Sequence, residues 1–394
     1  NILAKVEPIY ETFEGWKEKI SDCRDYEKLP TKAKKYLERH CLMLYLYDIL
    51  VDILMKADEY NLSDSIFAGD LSEENLSFDD LEERESLELG TELVGRHFLF
   101  SILRDMCYYL YESLSCIERG KVTVAYTLAR KPLQDNLYYL CWLLDNPIDL
   151  YENMKNKSPN EYDVSLLKGE KESVKAMYGR AIEKISESKL IDFELFTPEL
   201  LYELIYDRTS KSGLSQVFDK SIHLVTGNRH YKTERKNLNF IFVDDKIWDE
   251  FWEYYYIKRP VILMFIVEVA IKNFEIMLLI PESICKVNKL IRELKFSIAL
   301  NFEEKGSFEE FLEYTIKHSL TIICDECKNN VLSSEDSIRE FKEDYLYTCS
   351  NCKNIERIGQ YYISDGFLKE QLVLDVSKEN NMYNLKSKYR RKQS

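Results

Sequence analysis

Two Cys-x-x-Cys pairs constrain this chain more than any other feature: Cys324-Asp-Glu-Cys327 and Cys349-Ser-Asn-Cys352, with 21 residues between them. Two residues between thiols let both sulfurs face one side of a tight knuckle. Two such knuckles complete a tetrahedron of thiolates around Zn²⁺ at about 2.3 Å per sulfur. The β-favouring Thr321-Ile-Ile precedes the first pair and Tyr345-Leu-Tyr-Thr precedes the second. The pattern predicts a zinc ribbon over residues 320–362, built on Cys324, Cys327, Cys349 and Cys352. Four thiolates leave no position open for water, so the expected zinc is structural rather than catalytic. Thiol redox work is the alternative for one pair, but two pairs in one short segment favour metal.

The rest of the chain reads differently. Twelve Gly and eight Pro in 394 residues are few for a sandwich or a doubly wound sheet, which need many turns. The expected class is mainly α: a multi-helix bundle body followed by the small ribbon. Apolar positions recur at helical spacing from Pro30 through Leu37, Cys41, Leu44, Leu50 and Met55, which fits a helix of roughly 25 residues. Further helices are expected at 91–118, ended by Gly120, and at 121–144, kinked at Pro132. Others are expected at 168–187, at 198–207 and at 246–279, the last broken or bent at Pro260. Trp248, Phe251, Trp252, Tyr254, Tyr255 and Tyr256 on that last helix read as core. Arg130, Lys131, Gln134, Asp135 and Asn136 surround Pro132. Such groups line a pocket or, more commonly, satisfy one another at a helix contact.

The sequence divides into a segment 1–40, a helical body 41–319, the ribbon 320–362 and an extension 363–394. Within the body, residues 70–89 carry nine acidic side chains against one basic, Arg84, and read as a solvated linker or helix face. The basic run 386–392 reads as a solvated tail.

Charge narrows the partners. The chain has 54 basic and 69 acidic residues, a net charge of −15. Residues 320–356 hold eight acidic against four basic side chains, and four thiolates around one Zn²⁺ add further negative charge. Phosphate binding needs the opposite balance, so nucleic acid is disfavoured and a protein partner is expected. The most apolar run, residues 260–271, is too short for a membrane span, and no membrane association is expected. No secretory signal is visible at the start, and the six cysteines outside the pairs sit in apolar helical stretches. Both point to a cytoplasmic protein with buried free thiols.

The densest gathering of reactive side chains lies at 221–240. His223, Arg229, His230, Glu234 and Arg235 are the catalytic candidates: the arginines as clamps for a phosphate or carboxylate, a histidine as general acid or base, Glu234 to orient it. The spacing of Arg and His matches no helical nuclease pattern, and no third metal ligand lies close by. The plainer reading is a loop held by its own side chains.

Residues 7–38 carry one further signal. Pro8, Tyr10, Glu11, Gly15 and Trp16, then Leu29 and Pro30 opening a helix with Ala33 and Tyr36, form a dispersed pattern of rare residues. This segment resembles the region near the C-terminus of adenylosuccinate synthetase. The resemblance implies an enzyme that joins IMP and aspartate using GTP and magnesium, for purine biosynthesis. That family's Gly-Asp-Glu-Gly-Lys-Gly loop has no counterpart here, and no Walker-type loop is present, so no catalytic residue carries over. The likeness stops where Leu37-Glu38 runs into Arg39-His40-Cys41, which implies a fusion or a gene remnant joined near residue 38. The helices around Arg130 and the 221–240 cluster are also similar to uncharacterised bacterial helical proteins, some of them from defence loci. The leading expectation is therefore a zinc-binding interaction or regulatory protein. The alternatives are a nucleic-acid- or nucleotide-processing effector using residues 221–240, and a synthetase by inheritance.

Overall fold

The computed structural model describes residue 62 and residues 29–59, 87–167, 169–187, 196–233, 235, 238–240 and 245–280. Beyond these it describes scattered residues between 282 and 300, residues 324, 326–329, 336 and 346–357, and two short strands after them. The fold is mainly α, as the scarcity of turn residues predicts.

The helices are α1 (Leu29–Glu59), α2 (Leu87–Glu118), α3 (Val122–Lys131), α4 (Leu137–Asp145), α5 (Pro147–Asn156), α6 (Val164–Leu167), α7 (Lys171–Ser186), α8 (Pro198–Ile205), α9 (Ser215–Ile222) and α10 (Asp245–Leu278). Two antiparallel strand pairs follow, β1 (Leu346–Thr348) with β2 (Ile355–Arg357) and β3 (Asp375–Ser377) with β4 (Met382–Asn384). The chain forms two compact units. One comprises residues 1–51, 98–187 and 192–273, and the other residues 52–97, 188–191 and 274–394.

Local chemistry sets the helix ends. Gly120 adopts φ 70°, a left-handed conformation that glycine reaches without a Cβ clash. Its N–H donates to the Ile117 carbonyl at 3.0 Å and the Lys121 N–H to the Cys116 carbonyl at 2.8 Å, which closes α2 in a Schellman turn. Helix α5 opens with Pro147 at its first position and the Asn146 side chain accepting from the Asp149 N–H. Helix α8 does the same with Pro198 and Thr197. Proline loses nothing at that position, since the first helical N–H has no intrahelical acceptor.

In the first unit, residues 42–47 of α1 are buried on every side, and so are residues 262–271 of α10. Helix stretches buried on every side belong inside a bundle, and the most apolar run of the sequence, with its buried Glu268, is one of them. None of the described helices is long and apolar enough to cross a membrane. Around these two, α3 packs on α9, α4 on α7 and α7 on α8. Of the α10 aromatics expected in the core, Trp248, Trp252, Tyr255 and Tyr256 are buried, while Phe251 and Tyr254 are half-buried at its edge. Trp252, Tyr255 and Tyr256 are fully buried, and the Trp248 and Trp252 indoles donate to the Gly120 and Ile117 carbonyls at 2.9 and 3.2 Å. They thereby satisfy the end of α2, whose last carbonyls have no helical donor.

Proline does less damage than the sequence suggests. Helix α10 continues through Pro260. Pro132 begins a π-helical turn over Pro132–Asn136, which takes up the missing donor without ending the rod. The polar groups there are satisfied as a helix contact rather than as a pocket lining. Arg130 Nε donates to Gln134 Oε1 at 3.2 Å, and Gln134 Nε2 donates to the Ile205 carbonyl at 2.9 Å. Lys131 and Asn136 both reach Asp105, at 2.8 Å each. Tyr206 Oη donates to the Gln134 carbonyl at 2.6 Å.

Of the acidic run, residues 70–86 lie outside the described residues and Leu87–Leu89 open α2. The basic tail 386–392 also lies outside them.

Candidate functional site

The two cysteine pairs converge. Their four Sγ atoms lie within 4.8 Å of one another, with Cys324 to Cys352 at 3.5 Å and Cys327 to Cys349 at 3.4 Å. A disulfide needs about 2.05 Å, so these are not bonded sulfurs. A tetrahedron of thiolates at about 2.3 Å from a central ion has edges of about 3.8 Å, close to what is seen. The donor set therefore fits a metal ion, and the arrangement is closed.

The knuckles share a feature that reading for Cys-x-x-Cys alone misses. Each is followed by the same dipeptide, Lys328-Asn329 and Lys353-Asn354. Each lysine takes a left-handed conformation, φ 62° at Lys328 and 63° at Lys353. In each, the lysine N–H donates to the first cysteine's carbonyl and that cysteine's N–H donates to the asparagine carbonyl. The distances are 2.9 and 2.9 Å in the first knuckle, 2.9 and 2.8 Å in the second. The repeated Cys-x-x-Cys-Lys-Asn string was the available signal. A lysine in the left-handed region is uncommon, and having two at matched positions marks a turn that the surroundings enforce. The second knuckle sits in the β1–β2 hairpin, with Thr348 paired to Ile355. Residues 321–323, expected to lead into the first, lie outside the described residues.

Protons compete for this cluster. The Asn351 side chain and the Asn329 backbone hold the Cys327 thiol down to about 6. A backbone hydrogen bond from Asn354 favours the Cys352 thiolate, but desolvation and then the neighbouring Cys324, Cys327 and Cys349 push that thiol up to about 12. Four adjacent sulfurs ionise together only when a cation compensates them.

The other described cysteines are free thiols, as expected, with Cys107, Cys116, Cys141 and Cys285 buried. Burial pushes the thiols of Cys107 and Cys141 well up, which makes them inert as nucleophiles. Cys23 lies outside the described residues.

The 221–240 cluster is a loop folded on itself. Thr226 and Tyr231 are buried anchors. Thr226 Oγ1 donates to the Tyr231 carbonyl at 3.0 Å, and Tyr231 Oη donates to Asp219 on α9 at 2.5 Å. Thr233 and Asn239 tie the two limbs together through Thr226 and His223. His223, Arg229, His230 and Arg235 are all exposed. Arg229 Nε donates to His230 Nε2 at 2.9 Å, which occupies the lone pair a general base would use. Glu234 lies outside the described residues. Among the described candidates, Arg229 and His230 are in direct contact on this loop.

Comparison with known proteins bears on the N-terminal segment. The adenylosuccinate synthetase family model matches residues 1–44. Relatives include the adenylosuccinate synthetase of Brachyspira hyodysenteriae, 64% identical over 39 residues, which are 10% of this chain and 9% of that protein. That of Clostridium botulinum is 57% identical over 37 residues, 9% of each chain. That of Desulforamulus reducens is 40% identical over 65 residues, 16% of this chain and 15% of the relative. The chain therefore spans about a tenth of the length of the first relatives it matches, and the similarity is to a segment. No solved structure matches.

The matched segment runs into the helical body without a break. Helix α1 passes through residue 44. Tyr36 stacks on Tyr256 at 5.5 Å and packs edge-on against Trp252 at 5.7 Å. Arg39 donates to the Tyr256 carbonyl at 3.3 Å, and His40 lies 2.6 Å from Glu118.

Proposed function

We propose that this protein is a zinc-stabilised helical interaction protein, with Cys324, Cys327, Cys349 and Cys352 holding one structural Zn²⁺ in a zinc ribbon. The closed four-sulfur site carries this reading. All-thiolate ligation selects Zn²⁺ over harder divalent ions, and a filled tetrahedron has no position for a catalytic water. The ion would fix the two Lys-Asn turns and the β1–β2 hairpin, a segment too short to bury a core of its own.

The partner is a protein. Its support is the acidic balance of residues 320–356, which opposes phosphate binding. The effector reading loses support from the exposure of His223 and His230 and from the occupied His230 Nε2. Adenylosuccinate synthesis is not expected of this chain, because its sequence contains no Gly-Asp-Glu-Gly-Lys-Gly loop.

Incubation of the metal-loaded chain with RNA, with nucleotides, and with IMP, aspartate and GTP tests this reading. The expected outcome is no turnover above that of a His223→Ala/Arg229→Ala variant. Turnover abolished in that variant, or any adenylosuccinate formed, overturns it.

A further inference from the structure

The loop between α9 and α10 combines two properties that a solvated loop has no reason to combine. The first is exposed apolar surface. Leu224 and Val225 are 56% and 63% exposed, and Leu238 and Phe240 are 44% and 39% exposed. These are not scattered. The Asn239 N–H donates to the Leu224 carbonyl at 2.9 Å and Asn239 Nδ2 to the His223 carbonyl at 2.8 Å, so the two limbs carrying them lie side by side. Single exposed apolar residues are ordinary, whereas a contiguous group marks an interaction surface.

The second property is charge. Residues 222–240 hold four basic side chains and one acidic, within a chain of net charge −15. Arg229, Lys232 and Arg235 are exposed beside the apolar limbs, with exposed His223 and His230. The loop that presents them is fastened. Buried Thr226 and Tyr231 pin it from within and Tyr231 ties it to Asp219, so a partner would meet a pre-formed surface.

We propose that this loop is a docking surface for an acidic, apolar segment of a partner protein. Leu224, Val225, Leu238 and Phe240 take its apolar side chains, and Arg229, Lys232 and Arg235 face its carboxylates. Charge complementarity selects this occupant, because the loop carries net positive charge within an acidic chain. Nucleic acid shares the negative charge, but stacking on it would call for exposed aromatic platforms. Among the described loop residues Phe240 is the only exposed aromatic ring, while Tyr231 is buried. This inference rests on the reading of the chain as an interaction protein and adds the surface and the chemistry of the partner.

The test is selection of a displayed library of random 16-residue peptides on the full metal-loaded chain, with a 20-nucleotide single-stranded RNA measured alongside. Enriched peptides are expected to be acidic and to carry apolar anchors. Their affinity should fall about tenfold or more in Leu224→Asp/Val225→Asp and in Arg229→Glu/Arg235→Glu, and less than twofold in Lys157→Glu, an exposed control on another loop. All variants should keep wild-type helicity and metal content, since the substituted side chains are exposed. Acidic peptides that bind equally to all variants overturn the surface while leaving the interaction reading standing. Failure to enrich acidic peptides overturns the proposed occupant. RNA binding that the Arg229→Glu/Arg235→Glu variant abolishes overturns both.

Discussion

His40 Nε2 lies 2.6 Å from Glu118 Oε1, with both side chains about 97% shielded from solvent. The other ring nitrogen, Nδ1, lies 3.2 Å from Tyr256 Oη. His40 belongs to the segment that matches adenylosuccinate synthetases, and Glu118 and Tyr256 lie outside it. The matched segment therefore supplies a core partner to the helical body. Removing one member of such a buried pair leaves the other desolvated. His40→Ala should cost about 3–5 kcal/mol in urea unfolding followed by helical circular dichroism. A paired His40→Leu/Glu118→Leu change should recover most of that loss. Equal stability of His40→Ala and wild type would show that the pair adds nothing.

The same segment contributes apolar packing. Tyr36 is 6% exposed against Trp252 and Tyr256, and Leu42 and Met43 are essentially fully buried. Tyr36→Ala should cost about 3–5 kcal/mol, as expected for a large buried aromatic. Deletion of residues 1–44 should abolish the cooperative transition. A deleted chain that unfolds with an unchanged midpoint would mean that these residues are dispensable.

Arg259 presents the opposite case. It is 2% exposed, and its Nε and Nη2 make no hydrogen bond. In Arg180 the same two nitrogens grip both oxygens of Asp145 at 2.6 Å. Arg259 instead lies over the Tyr255 ring at 5.3 Å, which offsets part of its desolvation. Arg259→Met should be neutral to about 2 kcal/mol stabilising by thermal unfolding. A loss of several kcal/mol would contradict this.

Alkaline behaviour follows from buried phenols. Burial pushes Tyr138, Tyr231 and Tyr254 up to about 12, and Tyr231 is held further by donating to Asp219. Unfolded tyrosine titrates near 10. A raised folded value means that the fold favours the neutral phenol, so this contribution is complete below about pH 10 and is lost as pH climbs through about 12. Phenolate absorbance and helicity should change together in that window. Full ionisation near pH 10 with helicity intact would rule this out.

Much of the helical fold was legible because hydrophobic period and punctuation agree. Gly120 ends α2, and Pro198 behind Thr197 opens α8. Helices α5, α6 and α9 fall outside the expected set. They are only 10, 4 and 8 residues long, with few buried positions to set a period. The metal cluster was legible from ligand spacing, while the matched Lys-Asn turns were not, since a positive φ is not expected at lysine. The packing of His40 on Glu118 was invisible, because contacts 78 residues apart leave no mark in local pattern.

The most direct measurement of the central claim is native mass spectrometry of the chain purified under reducing conditions, with the metal identified by elemental analysis. One zinc per chain is expected, lost in Cys324→Ser/Cys349→Ser while the helical signal persists. A chain without metal, or one carrying two disulfides among Cys324, Cys327, Cys349 and Cys352, would contradict it.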